Sequence, residues 1–129
     1  MEETELVICD SNVIIELLDR ANKKVENQLI ELGRDRLAIS SVTYSEIIFG
    51  SRNKAHQNTL IRGLEKFALI EIDAIVDSIH RELIKRYSLS HGLDIQDAIV
   101  AATALKDDLS LYTLNKRDFS FIQGIRLIK

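Results

Sequence analysis

Leu6-Val7-Ile8-Cys9-Asp10-Ser11-Asn12 decides how the chain is to be read. Four apolar residues in succession are too few for a helix and show no polar alternation, so they read as a strand buried on both faces. The strand stops at Asp10, and Asp10-Ser11-Asn12 supplies turn and helix-capping chemistry. Val13, Ile14, Leu17 and Leu18 then follow at helical spacing.

The same alternation continues to the end of the chain. Val25, Leu29, Ile30 and Leu32 predict a second helix closing at Gly33, and Leu37-Ala38-Ile39 a second strand. Ser40, Ser41 and Thr43 are candidate caps for a helix carrying Tyr44, Ile47, Ile48 and Phe49, with Gly50 near its end. Asn53 to Phe67 reads as helix and Leu69-Ile70-Glu71-Ile72 as a third strand. Ile75, Ile79, Leu83, Ile84 and Tyr87 mark a longer helix ending before Gly92, followed by an alanine-rich helix from Asp94 to Leu105. Leu111-Tyr112-Thr113 predicts a fourth strand and Arg126-Leu127-Ile128 a fifth. Strands alternating with helices argue for a central, mainly parallel sheet of four to five strands with helices on both faces. Ligands of such sheets sit outside the carboxyl ends of the strands. That rule directs attention to Asp10 after the first strand and to Thr113 and Asn115 after the fourth.

Composition sets the outer bounds. The 129 residues fit one domain spanning 1–129, with no repeat or Gly/Ser linker to divide them. Apolar residues make up 46% and aromatics only 5%, which suits helices packed on a buried sheet. The single cysteine, Cys9, lies inside the first apolar run and reads as a core residue. Glu2, Glu3 and Glu5 place negative charge where a signal peptide would be basic, and no apolar stretch is long enough to span a bilayer, so a cytoplasmic protein is expected. The net charge of −3 is unlike most nucleic-acid binders. A carboxylate cluster built to bind metal ions would account for it, since the bound ions neutralise the formal charge.

Each acid near a strand end or helix start has two readings. Asp10 alone reads first as an N-cap, and otherwise as a metal ligand held on a rigid strand end. Glu46 falls three residues after Thr43, the spacing of a capping box, and also faces beyond a helix start. Asp94 and Asp97 share one face of a helix start, Asp94 as cap and Asp97 as a first-turn acid favoured by the helix dipole. The run Ala98 to Leu105 that follows is apolar nearly all round, so the helix is central, and an acid at its mouth calls for a cationic partner. Asp97 is therefore preferred to Asp94 as the site acid. Asp118, beside Lys116 and Arg117, reads as part of a mixed-charge surface loop or as the last member of the set. Together these carboxylates are what metal-assisted phosphodiester hydrolysis requires: hard Mg2+ or Mn2+ prefers oxygen ligands, and can activate water and neutralise charge on the attacked phosphate.

Four pieces, in order, carry a resemblance to a known family: Ile8-Cys9-Asp10-Ser11-Asn12-Val13-Ile14, Thr43-Tyr44-Ser45-Glu46-Ile47, Asp97-Ala98-Ile99-Val100-Ala101-Ala102-Thr103-Ala104 and Tyr112-Thr113-Leu114-Asn115-Lys116-Arg117-Asp118-Phe119. Taken together they resemble a PIN domain, and in length and single-domain form the VapC toxins. The resemblance implies a three-layer α/β/α fold, a Mg2+- or Mn2+-dependent endoribonuclease, a cognate VapB-like antitoxin and a homodimer. It carries the catalytic set onto Asp10, Glu46, Asp97, Asn115 and Asp118, with Asp10, Asp97 and Asp118 as metal ligands. Glu46 would bind a second ion or help activate water. Many PIN domains have an acid where this chain has Asn115, which coordinates without bringing charge, and Asp118 follows three residues later. Arg52, Lys116 and Arg117 read as RNA phosphate contacts or as ordinary surface charge. His56, His80 and His91 read as structural or solvent-facing, although His91 lies where it could approach a substrate near Gly92. Inhibition has a physical logic as well. An Arg or Lys of the antitoxin would enter the acid groove, while a partner helix docks on Ile47 to Gly50 or Leu60 to Phe67.

Two rivals remain. A phosphoryl-accepting receiver domain would need an acidic pair after the first strand and an Asp after a middle strand, and neither is present in this sequence. A non-catalytic PIN-like module that binds RNA or protein is kept open by Asn115.

Overall fold

The computed structural model describes residues 5–129, so the reading of Glu2 and Glu3 lies outside the described residues. The first apolar run forms β1 (Val7–Cys9), all three residues of which are fully buried. β1 leads into α1 (Ser11–Leu18) and α2 (Lys23–Leu32). β2 (Leu37–Ser40), α3 (Ser41–Phe49), α4 (Lys54–Leu64) and β3 (Ala68–Ile70) follow. The chain then forms α5 (Ala74–His91), α6 (Ile95–Lys106), β4 (Ser110–Tyr112) and β5 (Arg126–Leu127).

The five strands form one sheet in the order β3-β2-β1-β4-β5, and every pairing is parallel. The alternation of side chains along a strand divides β1 between two cores. Val7 and Cys9 join Val13, Ile14, Leu29, Ile47 and Leu60 under α1–α4. Ile8 joins Val76, Leu83, Phe119 and the alanines of α6 under α5 and α6. The result is the expected α/β/α sandwich. Ala98, Ala101, Ala102 and Ala104 are wholly buried, and their small side chains let α6 lie close against the sheet.

Three local expectations need correction. The third strand covers Ala68–Ile70 rather than 69–72, because it pairs only with β2, whose register with it ends at Ser40↔Ile70. The fourth helix stops at Leu64, where the N–H of Phe67 turns back onto the Leu64 carbonyl to enter β3. The Thr43–Glu46 capping box does not form. Ser40 is the cap of α3, its hydroxyl accepting from the Val42 N–H at 3.2 Å, and Thr43 lies fully buried inside the helix. Among the described residues, no helix is long and apolar enough to cross a membrane.

The chain leaves β1 toward β2 and β3 on one side, then crosses to β4 and β5 on the other. The switch point therefore lies between the adjacent carboxyl ends of β1 and β4, where Cys9 pairs with Tyr112.

Candidate active site

Asp10 occupies that switch point. Its N–H extends the sheet by donating to the Tyr112 carbonyl at 2.9 Å, and only 6% of the residue is exposed. Oδ1 accepts from the Ser11 N–H at 2.8 Å, and Oδ2 accepts from the Thr113 hydroxyl at 2.8 Å. Asp10 is thus both the cap of α1 and a carboxylate fixed at the sheet edge. The buried Thr113 Oγ1 also accepts from Asn12 Nδ2 at 3.3 Å and from the Asn115 N–H at 3.1 Å. Asn12 Oδ1 in turn accepts from the Leu114 N–H at 3.1 Å. A few short polar side chains thereby tie the two strand ends together and fix the direction in which Asp10 points.

The other acids arrive from separate elements. Asp94 caps α6, its Oδ1 accepting from the Asp97 N–H at 2.8 Å, which leaves the Asp97 side chain in the first turn. Glu46 projects from α3 and is half-buried. Asp118 closes the exposed 3-10 turn Lys116–Asp118, where its Oδ2 accepts from Asn115 Nδ2 at 2.8 Å.

Their electrostatics show that these segments converge. Burial, followed by Asp94, Asp10, Asp118 and Glu46, pushes the Asp97 carboxyl up to about 7. The charges that raise it are all carboxylates. Burial also raises Asp10, with Asp118 and Asp94 adding to it against the hydrogen bonds from Thr113 and Ser11. Glu46 is raised by burial and then by Asp10, while a hydrogen bond from the Ser11 side chain opposes the shift. Mutual repulsion of this kind marks a pocket of uncompensated negative charge.

Carboxylate oxygens are the hard donors that Mg2+ or Mn2+ takes as ligands. Among the described residues, no three acids, histidines or cysteines stand close enough to grip an ion directly.

The remaining candidates fall outside this cluster. Arg52, Lys116 and Arg117 are exposed. His56 pairs with Asp19 at 2.7 Å and His80 with Asp77 at 3.5 Å, as structural histidines do. His91 is exposed and stacks on Phe121. Burial pushes the Cys9 thiol up to about 12, in keeping with a core residue. Sequence reasoning did not single out Ser11, whose backbone N–H donates to Asp10 and whose side chain hydrogen-bonds Glu46, and it read Asp94 as a cap alone. A serine after a strand carries no signal beyond turn propensity, and Asp94 is fully accounted for by its capping role.

Comparison with known proteins agrees with this geometry. The family model for the PIN domain matches residues 7–123. The chain is 30% identical to ribonuclease VapC10 of Mycobacterium tuberculosis over 123 residues, covering 94% of this chain and 91% of that protein. It is also 30% identical to ribonuclease VapC1 of Methanocaldococcus jannaschii, covering 98% of this chain and 88% of the relative. Among solved structures, a toxin–antitoxin complex from Klebsiella pneumoniae superposes with a TM-score of 0.80 at 26% identity, covering 95% of this chain and 96% of that one. The family match removes the receiver-domain alternative.

Proposed function

Because the chain belongs to the PIN-domain family and is homologous to VapC-type toxins, we propose that it is a Mg2+- or Mn2+-dependent endoribonuclease, a single domain over 1–129 and the toxin of a VapBC-type pair. The observation that carries this reading is the mutual repulsion of Asp10, Glu46, Asp94, Asp97 and Asp118, drawn from separate segments to the switch point of the sheet.

In this reading Asp10 and Asp97 would hold the ion directly and Asp118 would complete its surroundings, with Asn115 Nδ2 donating to Asp118 Oδ2. A bound ion would lower the pKa of a coordinated water and neutralise charge on the phosphate. The chain's own residues do the rest. Thr113 and the Ser11 N–H prevent Asp10 from rotating, so its oxygens keep one orientation as substrate enters. Glu46, already raised in proton affinity, accepts the proton of the attacking water on its carboxylate, with Ser11 holding it in place.

The partner is a VapB-like antitoxin. The Leu60 to Phe67 face expected to dock it is largely taken up by the core, where Leu60, Leu64 and Phe67 are buried; a cleft of about 240 Å3 beside it, lined by Leu17, Ile30, Gly63 and Phe67 with Glu26 and Arg34 at its rim, could take apolar side chains of the partner. A basic side chain from the same partner would enter the acid pocket, and a complex that leaves the acids open and metal-loaded would contradict this. Homodimerisation forms part of the proposal by family.

The loose spacing of the acids favours one second reading, a PIN-like module that binds RNA or protein without cleaving it. Titrating Mg2+ or Mn2+ into an RNA cleavage assay, beside Asp10→Asn, separates the two. Cleavage that rises with metal and falls on the order of 10^3-fold in the variant supports the nuclease. Cleavage indifferent to both metal and variant refutes it.

A further inference from the structure

The acid pocket has a neighbour that the proposed chemistry does not use. His91, the last residue of α5, stacks on Phe121 with ring centroids 4.3 Å apart and planes 11° from parallel. Tyr87 meets both rings edge-on, at 5.2 Å from Phe121 and 5.7 Å from His91. The chain holds only three tyrosines and four phenylalanines, so gathering two of them with a histidine at one surface point is a concentrated feature.

The group is held rigidly. The Gln123 N–H donates to the Tyr87 hydroxyl at 3.2 Å, and Arg86 Nη2 donates to Gln123 Oε1 at 3.2 Å, pinning the Phe121 segment to the last turns of α5. Ser90 Oγ lies 2.8 Å from His91 Nδ1 and fixes the imidazole. Phe121 is partly covered by the core below it, while His91 is exposed. A Cβ at the adjacent Gly92 would meet nothing within 4 Å, so the chain next to His91 is not covered there.

The place matters as much as the composition. His91 precedes Asp94 by three residues, and Phe121 follows Asp118 by three. Three peptide links keep each pair of Cα atoms within about 11 Å. The stack is therefore joined by short links to Asp94 on one side and to Asp118 on the other.

We propose that the His91–Phe121 stack is a base-binding platform, on which a nucleobase of single-stranded RNA next to the scissile phosphate stacks against the exposed imidazole. A preformed ring pair costs little ordering entropy to use, and aromatic or histidine faces accept unstacked bases of any identity. Arg86, beside the Tyr87 ring at 5.8 Å, supplies a cation for the adjoining backbone phosphate. The platform deepens the nuclease reading, because it names how that site would grip its substrate.

The test uses the full chain and two probes, a fluorescent decameric oligoribonucleotide and the same decamer with abasic sugars, in EDTA so that no cleavage occurs. Wild type should bind the intact decamer about tenfold more tightly than His91→Ala does, while the abasic decamer binds both equally. His91→Phe should restore binding. The ring protons of His91 should shift on adding RNA while those of His80 stay fixed. Matching thermal unfolding of wild type and His91→Ala excludes a folding defect. Unchanged affinity in His91→Ala, or imidazole resonances that ignore saturating RNA, would overturn the proposal. So would a His91→Ala variant that binds RNA normally and loses the antitoxin. Failure of metal-dependent cleavage alone would sink the nuclease reading and leave RNA-dependent shifts of His91 intact, so the two failures are distinguishable.

Discussion

Asp97→Asn should make the metal-free protein more stable at neutral pH, although it removes a proposed metal ligand. The folded chain raises the Asp97 carboxyl from its ordinary 3.8 to about 7, through burial first and then four neighbouring carboxylates. A carboxyl that holds its proton more tightly when folded contributes stability fully present below the unfolded pKa. That contribution is lost as pH rises through the folded value, so the window runs from about pH 4 to about pH 7. Each tenfold in proton affinity is worth about 1.4 kcal/mol, which caps the effect at about 4 kcal/mol. Asp97 is only half withdrawn from solvent, and screening reduces the expected cost to about 1–2 kcal/mol. An asparagine keeps the shape and sheds the charge, and its backbone N–H still donates to Asp94. Urea unfolding in EDTA should show wild type losing stability between pH 4 and 7 while Asp97→Asn stays flatter, with the variant ahead by about 1–2 kcal/mol at pH 8. For a chain of this size that corresponds to a midpoint about 3–8 °C higher. Adding Mg2+ should narrow the gap by stabilising wild type alone. If wild type is equally stable across this range in EDTA, or the variant is the weaker protein at pH 8, the picture of mutually repelling acids is wrong.

Two further outcomes follow from the same geometry. Thr113→Val keeps the buried volume but strips Asp10, Asn12 and the Asn115 N–H of one shared hydroxyl; urea unfolding should show a loss of about 1–3 kcal/mol, with Thr113→Ser restoring most of it, and a cost below about 0.5 kcal/mol would show that the network does not hold the strand ends. Asn115→Asp replaces the Nδ2 donor that faces Asp118 Oδ2 at 2.8 Å with a second carboxylate; it should lower the Mg2+ concentration needed for half-maximal RNA cleavage and lower the EDTA-state melting temperature, and an unchanged metal requirement would remove Asn115 from the proposed site.

The sheet was legible because its central strands carry little but apolar residues. Val7-Ile8-Cys9 and Leu37-Ala38-Ile39 are both buried against two cores, and no other local structure suits such short runs. β3 was placed one residue late at its start and two at its end because it is an exposed edge, where composition constrains the chain less. The start of the helix after β2 stayed open because Ser40, Ser41 and Thr43 can all cap, and only the end of the β2 pairing selects Ser40. Thr43 was then free to enter the helix, and its hydroxyl is left without a hydrogen-bond partner among the described residues.

The site was harder to read than the sheet, for a reason that lies in the chemistry of helix ends. Asp10 and Asp94 are true caps, and both also press on the same pocket of charge. A capping carboxylate is held by backbone N–H groups at the mouth of a helix, and in a parallel sheet the mouths of the helices lie beside the carboxyl ends of the strands. Capping and site-building therefore use the same residue types at the same positions, and inspecting any one acid cannot separate them. What separates them is number and convergence. A cap needs one carboxylate per helix, and folding gains nothing from aiming Glu46, Asp97 and Asp118 at two carboxylates already committed to caps. Ser11 and Thr113 make the same point from the neutral side, since each hydroxyl serves a carboxylate from a distant part of the chain, Ser11 that of Glu46 and Thr113 that of Asp10. An arrangement that raises the proton affinity of three of its own acids works against stability at neutral pH, and the divalent cation proposed for the site would offset that cost.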